Sequence, residues 1–124
     1  MDNVNVFKLG ASPLHRVRPD LLGTVFEGAD VTLVRWDIPH DRSATPLHSH
    51  AEHEQFTIVI SGSIETTIGD EVLTLHAGDM CRIERNVPHG VTRALDGTNA
   101  VLVDVFSPPR ADYVAAARSG SPAS

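Results

Sequence analysis

Residues 55–75, which read QFTIVISGSIETTIGDEVLTL, decide the fold class. Three short runs rich in β-branched residues are separated by turn residues, and Gly69-Asp70 forms a two-residue turn with glycine first, as β-hairpins favour. Similar runs cover 31–39, 80–84, 90–95 and 100–106. Short strands at this regular spacing predict an all-β antiparallel barrel or sandwich.

A helical pattern occurs in one segment, ADYVAAAR (111–118), which follows two prolines that end the last strand. At 124 residues the chain has room for one domain. We therefore divide it into an N-terminal segment (1–30) that packs on the barrel or on a dimer partner, a barrel (31–110), a C-terminal helix (111–118) and a disordered tail (119–124).

The composition limits the classes of partner that the chain is expected to bind. Ten Lys and Arg against sixteen Asp and Glu give a net charge of −6 without a basic cluster, so we expect neither nucleic acid nor a membrane surface as a partner. The first ten residues lack the features of a signal peptide, and the lone Cys81, which we interpret as a small buried hydrophobe, excludes an internal disulfide; both favour the cytoplasm. We expect the substrate to be a small molecule.

We also expect a homodimer, because a small open barrel leaves edge strands unpaired.

Histidines cluster in the segment PLHSHAEHEQFT (46–57). His48 and His50 are two residues apart, so in an extended chain they point the same way. A third imidazole follows at His89, within NVPHGV. Three imidazoles and a side-chain carbonyl make a suitable ligand set for a first-row divalent metal. The remaining histidines, which we interpret as surface residues, are His15, His40, His53 and His76.

Alternation in the strand that begins at Gln55 separates two sets of side chains. Phe56, Ile58 and Ile60 form one continuous apolar face. The other set is Gln55, Thr57 and Val59. The second set can therefore line a polar cavity.

These residues carry a family resemblance. The segment around His48 and His50 resembles the first cupin motif, G-x5-H-x-H-x3-4-E-x6-G, and GDMCRIERNVPHG (78–90) resembles the second, G-x5-P-x-G-x2-H-x3-N. The resemblance implies a double-stranded β-helix (the cupin jelly-roll barrel) with one divalent transition metal per chain, which can be Zn, Ni, Fe, Co or Mn. Four turn-shaping positions of the motifs are replaced here, by Arg42, Glu84, Asn86 and Arg93.

The acidic position of the first motif admits two residues. Three intervening residues select Glu54, and four select Gln55. The six intervening residues before Gly62 also select Gln55, and the strand alternation agrees, because it places Glu54 with the apolar set. We favour Gln55, with Glu54 at the rim of the pocket. A shell of three His and one Gln is neutral, so the metal keeps its full positive charge as a Lewis acid.

Asp104 stands in the middle of the apolar strand AVLVDVF (100–106). Burial there predicts a raised pKa or a charged partner. The carboxylate can therefore take part in catalysis, or it can form a structural ion pair with Arg110 that holds the C-terminal segment on the barrel.

A closer resemblance is carried by His-x-His-x4-Gln, Pro-His-Gly and the ending Asp-x-Phe-Ser-Pro-x-Arg. This combination is similar to the pectin degradation cupins that linearise 4,5-unsaturated uronates. The resemblance implies the metal ligands His48, His50, Gln55 and His89. It also implies that Asp104, Phe106 and Arg110 are catalytic, with Phe106 and Arg110 also binding substrate.

The reaction implied by this resemblance is a redox-neutral enol-to-keto conversion with ring opening, an isomerase or lyase type of chemistry. Two other functions remain compatible with the same residues. One is a cupin dioxygenase that uses Fe, Ni or Mn and O2. The other is a module that binds a sugar or another small molecule without turnover.

Overall fold

The computed structural model describes residues 5–119, except for the side chain of Val91. Within this span the elements are His15–Arg18 (β1), Leu21–Glu27 (β2), Thr32–Ile38 (β3), Glu54–Ser61 (β4), Ser63–Ile68 (β5), Glu71–His76 (β6), Met80–Ile83 (β7), His89–Ala94 (β8), Ala100–Ser107 (β9) and Ala111–Ser119 (α1). One sheet has the order β1-β2-β3-β9-β4-β7 and the other the order β6-β5-β8, with antiparallel neighbours throughout. The predicted all-β jelly roll with a short C-terminal helix is confirmed.

The hairpin predicted at Gly69-Asp70 is present. Ile68 pairs with Glu71 across the turn, and Gly69 takes a φ of 59°, which a two-residue hairpin requires of its first residue when that residue is glycine. The turn thereby sets the register of β5 against β6, which runs without a bulge from Ser63 opposite His76 to the turn.

The alternation predicted for β4 is also observed. Gln55 and Thr57 are 5% and 6% exposed and line the interior, whereas Phe56 and Ile60 are 37% and 44% exposed on the outer surface. The inner face of this strand therefore begins polar and becomes apolar at Val59, which is buried. One end of the barrel can hold a polar site while the other holds the core.

The core lies between the two sheets and is closed by α1. The last strand, β9, sits in the middle of the large sheet between β3 and β4 and contributes the buried Leu102 and Phe106. Tyr113 of α1 packs edge-on against Phe106 and Trp36, with ring centroids 5.6 and 5.5 Å apart. This aromatic contact fixes the helix against the interior of the barrel.

Residues 15–27 fall in the predicted N-terminal segment and form β1 and β2, two strands that we did not predict. Pro19, Asp20 and Gly23 interrupt their pattern, and such residues are uncommon in strands. In the structure β2 pairs with β3, and Gly23 lies opposite Trp36. The remaining parts of the terminal predictions, residues 1–4 and 120–124, lie outside the described residues. None of the described helical residues forms a span long and apolar enough to cross a membrane.

Gly90 in β8 lies where backbone segments approach closely. Its φ is 130°, and a Cβ at this position would come within 2.4 Å of the Pro46 carbonyl oxygen and 3.3 Å of His48 Nδ1. Any side chain here would therefore push the segment that carries His48 out of place.

We expect Gly90→Ala to destabilise the fold strongly. Positive φ costs an L-residue about 1–2 kcal/mol, and overpacking against backbone adds about 1–3 kcal/mol. Gly97 is the matched control, because it has a φ of 63° but no atom within 4 Å of the position that a Cβ would take, so Gly97→Ala should show the strain alone. Urea unfolding of both variants measures the difference; equal loss of stability in the two variants would contradict the close approach at Gly90.

Candidate functional site

Three imidazoles meet at one end of the barrel because a backbone bridge holds them there. His48 N donates to His89 O at 2.8 Å, and His89 N donates to His48 O at 2.7 Å. This bridge ties the loop before β4 to the start of β8. The candidate ligand atoms of His48, His50 and His89 all lie within 4.8 Å of one another.

Backbone carbonyls fix the tautomer of two of these rings. Nδ1 of His48 lies 3.0 Å from the Pro46 carbonyl oxygen, and Nδ1 of His89 lies 2.9 Å from that of Val87. A carbonyl only accepts, so each Nδ1 carries the proton and each Nε2 presents a lone pair. His89 Nε2 is buried and has no hydrogen-bond partner within residues 5–119. A buried lone pair of this kind, on a ring whose other nitrogen is held by a carbonyl, is the arrangement expected of a metal ligand.

Gln55 completes the ligand set on the inner face of β4. Its Oε1 lies 3.3 Å from His50 Nε2. Two donors each about 2.1 Å from one ion lie roughly 3.0–3.4 Å apart in right-angled or tetrahedral geometry. Glu54 instead alternates to the other face and pairs with Ser107 of β9. The geometry therefore supports Gln55 over Glu54 as the fourth ligand.

Electrostatics keep the cluster in its ligand form. Burial lowers the pKa of His50 to about 4, and the positive charge of Arg110 and the neighbouring His89 and His48 contribute to this lowering. Burial likewise lowers the pKa of His89. Both imidazoles are neutral near pH 7, and a neutral imidazole is the form that binds a metal.

Asp104 lies deeper in the same cavity and is held by two donors. Trp36 Nε1 donates to its Oδ2 at 2.9 Å, and Thr57 Oγ1 donates to its Oδ1 at 2.5 Å. Burial raises the pKa of Asp104, as we predicted from its place in the apolar strand, while hydrogen bonds from Thr57, Trp36 and Gln55 and the charge of Arg110 oppose this rise. The alternative of an Asp104–Arg110 ion pair is wrong, because Asp104 forms no ion pair with any described residue.

Arg110 pairs with Asp112 instead. Its Nε and Nη2 donate to the two carboxylate oxygens of Asp112 at 2.9 and 2.7 Å, which lowers the pKa of the Asp112 carboxyl. The guanidinium carbon lies 3.8 Å from the ring centroid of Tyr113 and 4.9 Å from that of Phe106. Nη1 is buried and lacks a partner among the described residues. Arg110 is thus charged and rigid, and its Nη1 is left to donate to another group.

The interior and the mouth of the barrel offer two adjoining spaces. The inner cavity has a volume of about 60 Å³ and is lined by the ligand histidines, Gln55, Asp104 and Phe106. An open pocket of about 520 Å³ lies outside it, lined by His53, Arg110 and Asp112, and His50 borders both spaces. The inner space suits an ion and the reacting end of a substrate, and the outer one suits the rest of a small molecule.

The other histidines lie apart from this cluster or at its edge. His40 and His76 are exposed and bond to Asn99 and Ser63, and His53 Nδ1 contacts the Pro108 carbonyl oxygen at 2.8 Å. His15, which we expected at the surface, is half-buried on β1, beside the groove under α1. Cys81, which we expected to be a small buried hydrophobe, is half-buried on the cavity wall, and burial raises the pKa of its thiol.

Three contributors escaped the sequence analysis: Trp36, Asp112 and Tyr113. Thr57 lines the cavity, as strand alternation predicted. Trp36 had no such signal, because its strand reads as ordinary core. Asp112 is two residues beyond Arg110, and this spacing in a helix start could have suggested the ion pair.

Comparisons with known proteins identify the family to which the chain belongs. The family model described as "Cupin domain" matches residues 34–106. Over 67 residues the chain is 40% identical to the pectin degradation protein KdgF of Dickeya dadantii (strain 3937), a match that covers 54% of this chain and 59% of that protein. The chain therefore spans less than two thirds of the length of this curated relative.

Solved structures extend the likeness to most of the chain. KdgF from Halomonas sp. superposes with a TM-score of 0.76 at 25% identity, covering 87% of this chain and 98% of that one. An RmlC-like cupin from Shewanella frigidimarina NCIMB 400 superposes with a TM-score of 0.73 at 22% identity, covering 88% and 95%, and shows the shared fold. Since the family model spans more than half of the sequence and the fold is the same jelly roll, the chain belongs to the cupin family.

Proposed function

We propose that this cupin is a metal-dependent enzyme that converts an unsaturated, uronate-like sugar acid from its enol to its keto form with ring opening. The observation that carries the proposal is Asp104, a buried carboxyl with a raised pKa in the same cavity as three converging imidazoles. The likeness of the chain to a pectin degradation protein supports an unsaturated uronate as the substrate class. No net oxidation or reduction is required.

The metal would be held by His48, His50, Gln55 and His89. The buried Nε2 of His89 and the approach of Gln55 Oε1 to His50 Nε2 support this set. When bound, a divalent ion supplies Lewis acidity toward the substrate's oxygens, undiminished by ligand charge because all four donors are neutral. The same donor set accepts Zn, Ni, Fe, Co or Mn.

Asp104 would move the proton. Ring opening breaks the bond between the ring oxygen and the anomeric carbon, and the anomeric hydroxyl loses its proton to leave an aldehyde. The ring oxygen leaves as an enolate, which gains a proton at carbon and becomes a ketone, so one proton is lost, one is gained and the electrons balance. Burial raises the pKa of the Asp104 carboxyl above that of an ordinary aspartate, which favours a role in proton transfer.

Arg110 and Phe106 would bind the substrate. Asp112 accepts from Nε and from one N–H of Nη2, so the substrate would meet the Nη1 side of the guanidinium. Nη1 is the free donor, and it would bond one oxygen of the substrate's carboxylate while the charge attracts the anion. Phe106, 2% exposed, would wall the inner cavity against water. The substrate would rest in the mouth and extend its reacting end inward.

We expect His48→Ala and His89→Ala to lose the bound metal, because each removes one donor from a neutral four-ligand shell. Gln55→Ala should weaken metal binding, whereas Glu54→Ala should leave it unchanged. Elemental analysis of the purified variants measures this, with His76→Ala as the control for an exposed histidine. Full metal content in both His48→Ala and His89→Ala would disprove the ligand assignment. A loss of metal in Glu54→Ala but not in Gln55→Ala would make Glu54, rather than Gln55, the fourth ligand.

We expect Asp104→Asn to cut turnover of a 4,5-unsaturated uronate by about 10²- to 10⁴-fold, the usual contribution of a general acid or base. Metal content and melting temperature should stay near those of the unaltered protein, because Asn has the same shape and still accepts from Trp36. Asp37→Asn on the same large sheet, where Asp37 pairs with Arg35 away from the cavity, is the matched control. The assay follows loss of the substrate's ultraviolet absorption.

Three results of this assay would count against the proposal. Full activity in Asp104→Asn would remove the carboxyl from the chemistry. Oxygen consumption equal to product formation would make the protein a dioxygenase. Tight binding of the uronate without any turnover by the unaltered, metal-loaded protein would make it a binding module.

We further propose that two copies pack through the outer face of β4 and β7. Phe56, Ile60 and Met80 are exposed there, and β7 is an edge strand of the large sheet. Arg82 and Glu84 lie beside this apolar band with opposite charges. A two-fold axis would place the band against itself and each charge near its opposite, as a self-complementary interface requires.

Light scattering at micromolar concentration should therefore show a dimer. Met80→Glu should give monomers, because it buries a charge in the apolar band. Val72→Glu changes an equally exposed apolar residue on β6, in the other sheet, and should leave the dimer intact. A monomeric unaltered protein, or equal dissociation by the two variants, would refute this interface.

A further inference from the structure

A continuous chain of buried hydrogen bonds links the candidate metal ligand Gln55 to the candidate acid Asp104. Gln55 Nε2 donates to Thr57 Oγ1 at 3.0 Å, and Thr57 Oγ1 donates to Asp104 Oδ1 at 2.5 Å. Trp36 Nε1 closes the chain by donating to Asp104 Oδ2. Thr57 is the member of this chain that contacts both functional groups, and it is itself neither a ligand nor an acid.

The chemistry of a hydroxyl makes this chain directional. Thr57 has one proton, and the short bond to Asp104 Oδ1 uses it. Its oxygen can then only accept from Gln55, so the Gln55 amide must present Nε2 to Thr57. With Nε2 so directed, Oε1 turns toward His50 Nε2, where a metal would lie. An amide rotated by 180° would aim two protons at the metal and two lone pairs at the lone pairs of Thr57.

We propose that Thr57 is a positioning residue that sets the amide orientation of Gln55 and the place of the Asp104 carboxyl together. This inference rests on the proposed metal site and on the proposed role of Asp104. The hydroxyl of Thr57 would then contribute to the metal affinity of the protein without contacting the metal. One side chain would also orient the two functional groups, because Asp104 on β9 lies opposite Thr57 and Gln55 lies two residues before Thr57 on β4.

Valine and serine separate the hydroxyl of Thr57 from its bulk. Thr57→Val keeps the shape of the side chain and removes the hydroxyl, so the Gln55 amide loses its guide and Asp104 loses one donor. Thr57→Ser keeps the hydroxyl and removes a methyl group. Thr24→Val is the matched control, since Thr24 is also buried, its hydroxyl donates to the Pro13 carbonyl oxygen at 2.7 Å, and it does not line the cavity.

The first measurement is titration of the metal-free protein with Co²⁺, followed by visible absorption, which reports both affinity and ligand geometry. Thr57→Val should bind Co²⁺ about 10- to 100-fold more weakly with an altered spectrum, the range found when groups that orient metal ligands are removed. Thr57→Ser and Thr24→Val should bind like the unaltered protein. Melting temperatures of all three variants confirm that they are folded.

The second measurement needs no metal. The chain has one tryptophan, so the indole N–H of Trp36 gives a single indole signal in a ¹H–¹⁵N NMR spectrum and reports the position of Asp104. That signal should move in Thr57→Val, stay in place in Thr24→Val, and return toward its original position in Thr57→Ser.

The outcomes separate this inference from the proposed function. If Thr57→Val binds Co²⁺ normally and leaves the Trp36 signal unmoved while His89→Ala abolishes binding, Thr57 does not position the site, although the metal site stands. Equal weakening by Thr57→Val and Thr57→Ser would show that packing rather than the hydroxyl matters, and would overturn the inference. If the unaltered protein binds no Co²⁺, the metal site itself fails and the positioning role of Thr57 toward it fails too.

Discussion

The pair of backbone hydrogen bonds between His48 and His89 is the contact on which the site depends. It joins a loop that leads into the large sheet with a strand of the small one, so the same two residues that close the barrel also supply imidazoles to its interior. Thr45 reinforces the junction, because its N–H and its hydroxyl both bond to Thr92. The geometry of the imidazole cluster is therefore set by strand pairing and needs no flexible side chain to find its place.

The charge balance of the interior follows from what burial permits. Imidazoles and an amide can be buried without charge, and a low dielectric keeps them neutral. A divalent ion among them would bring uncompensated positive charge, and Asp104 is the nearby carboxyl that offsets it. Arg110 stands on the other side, where Asp112 balances its charge and two aromatic rings hold it flat. The carboxyl of Asp104 and the guanidinium of Arg110 thus both lie near the cluster without forming an ion pair with each other.

The barrel strands and the inward-facing side chains of β4 could be predicted from the sequence, because both follow from local patterns. Alternation along residues 55–61 predicts which side chains of β4 face inward, and the spacing of His48 and His50 predicts a shared direction. Strands β1 and β2 could not be predicted, because their local pattern is poor and their pairing with β3 depends on tertiary contact. The partners of Arg110 and Asp104 could not be predicted either. The partner of Arg110 lies at the start of α1. Asp104 is bonded by Trp36, which lies 68 positions earlier in the sequence and on another strand.

The central place of β9 has a consequence for the order in which the molecule can assemble. Its partners are β3 and β4, so the large sheet has a gap in its middle until residues 100–107 arrive. Chain growth from the N-terminus leaves β3 and β4 without their shared neighbour until every other strand of the barrel has been made. Pairing strands so far apart in sequence is entropically slow. The large sheet is therefore completed only once β9 has left the ribosome, and until then the facing edges of β3 and β4 lack their shared partner.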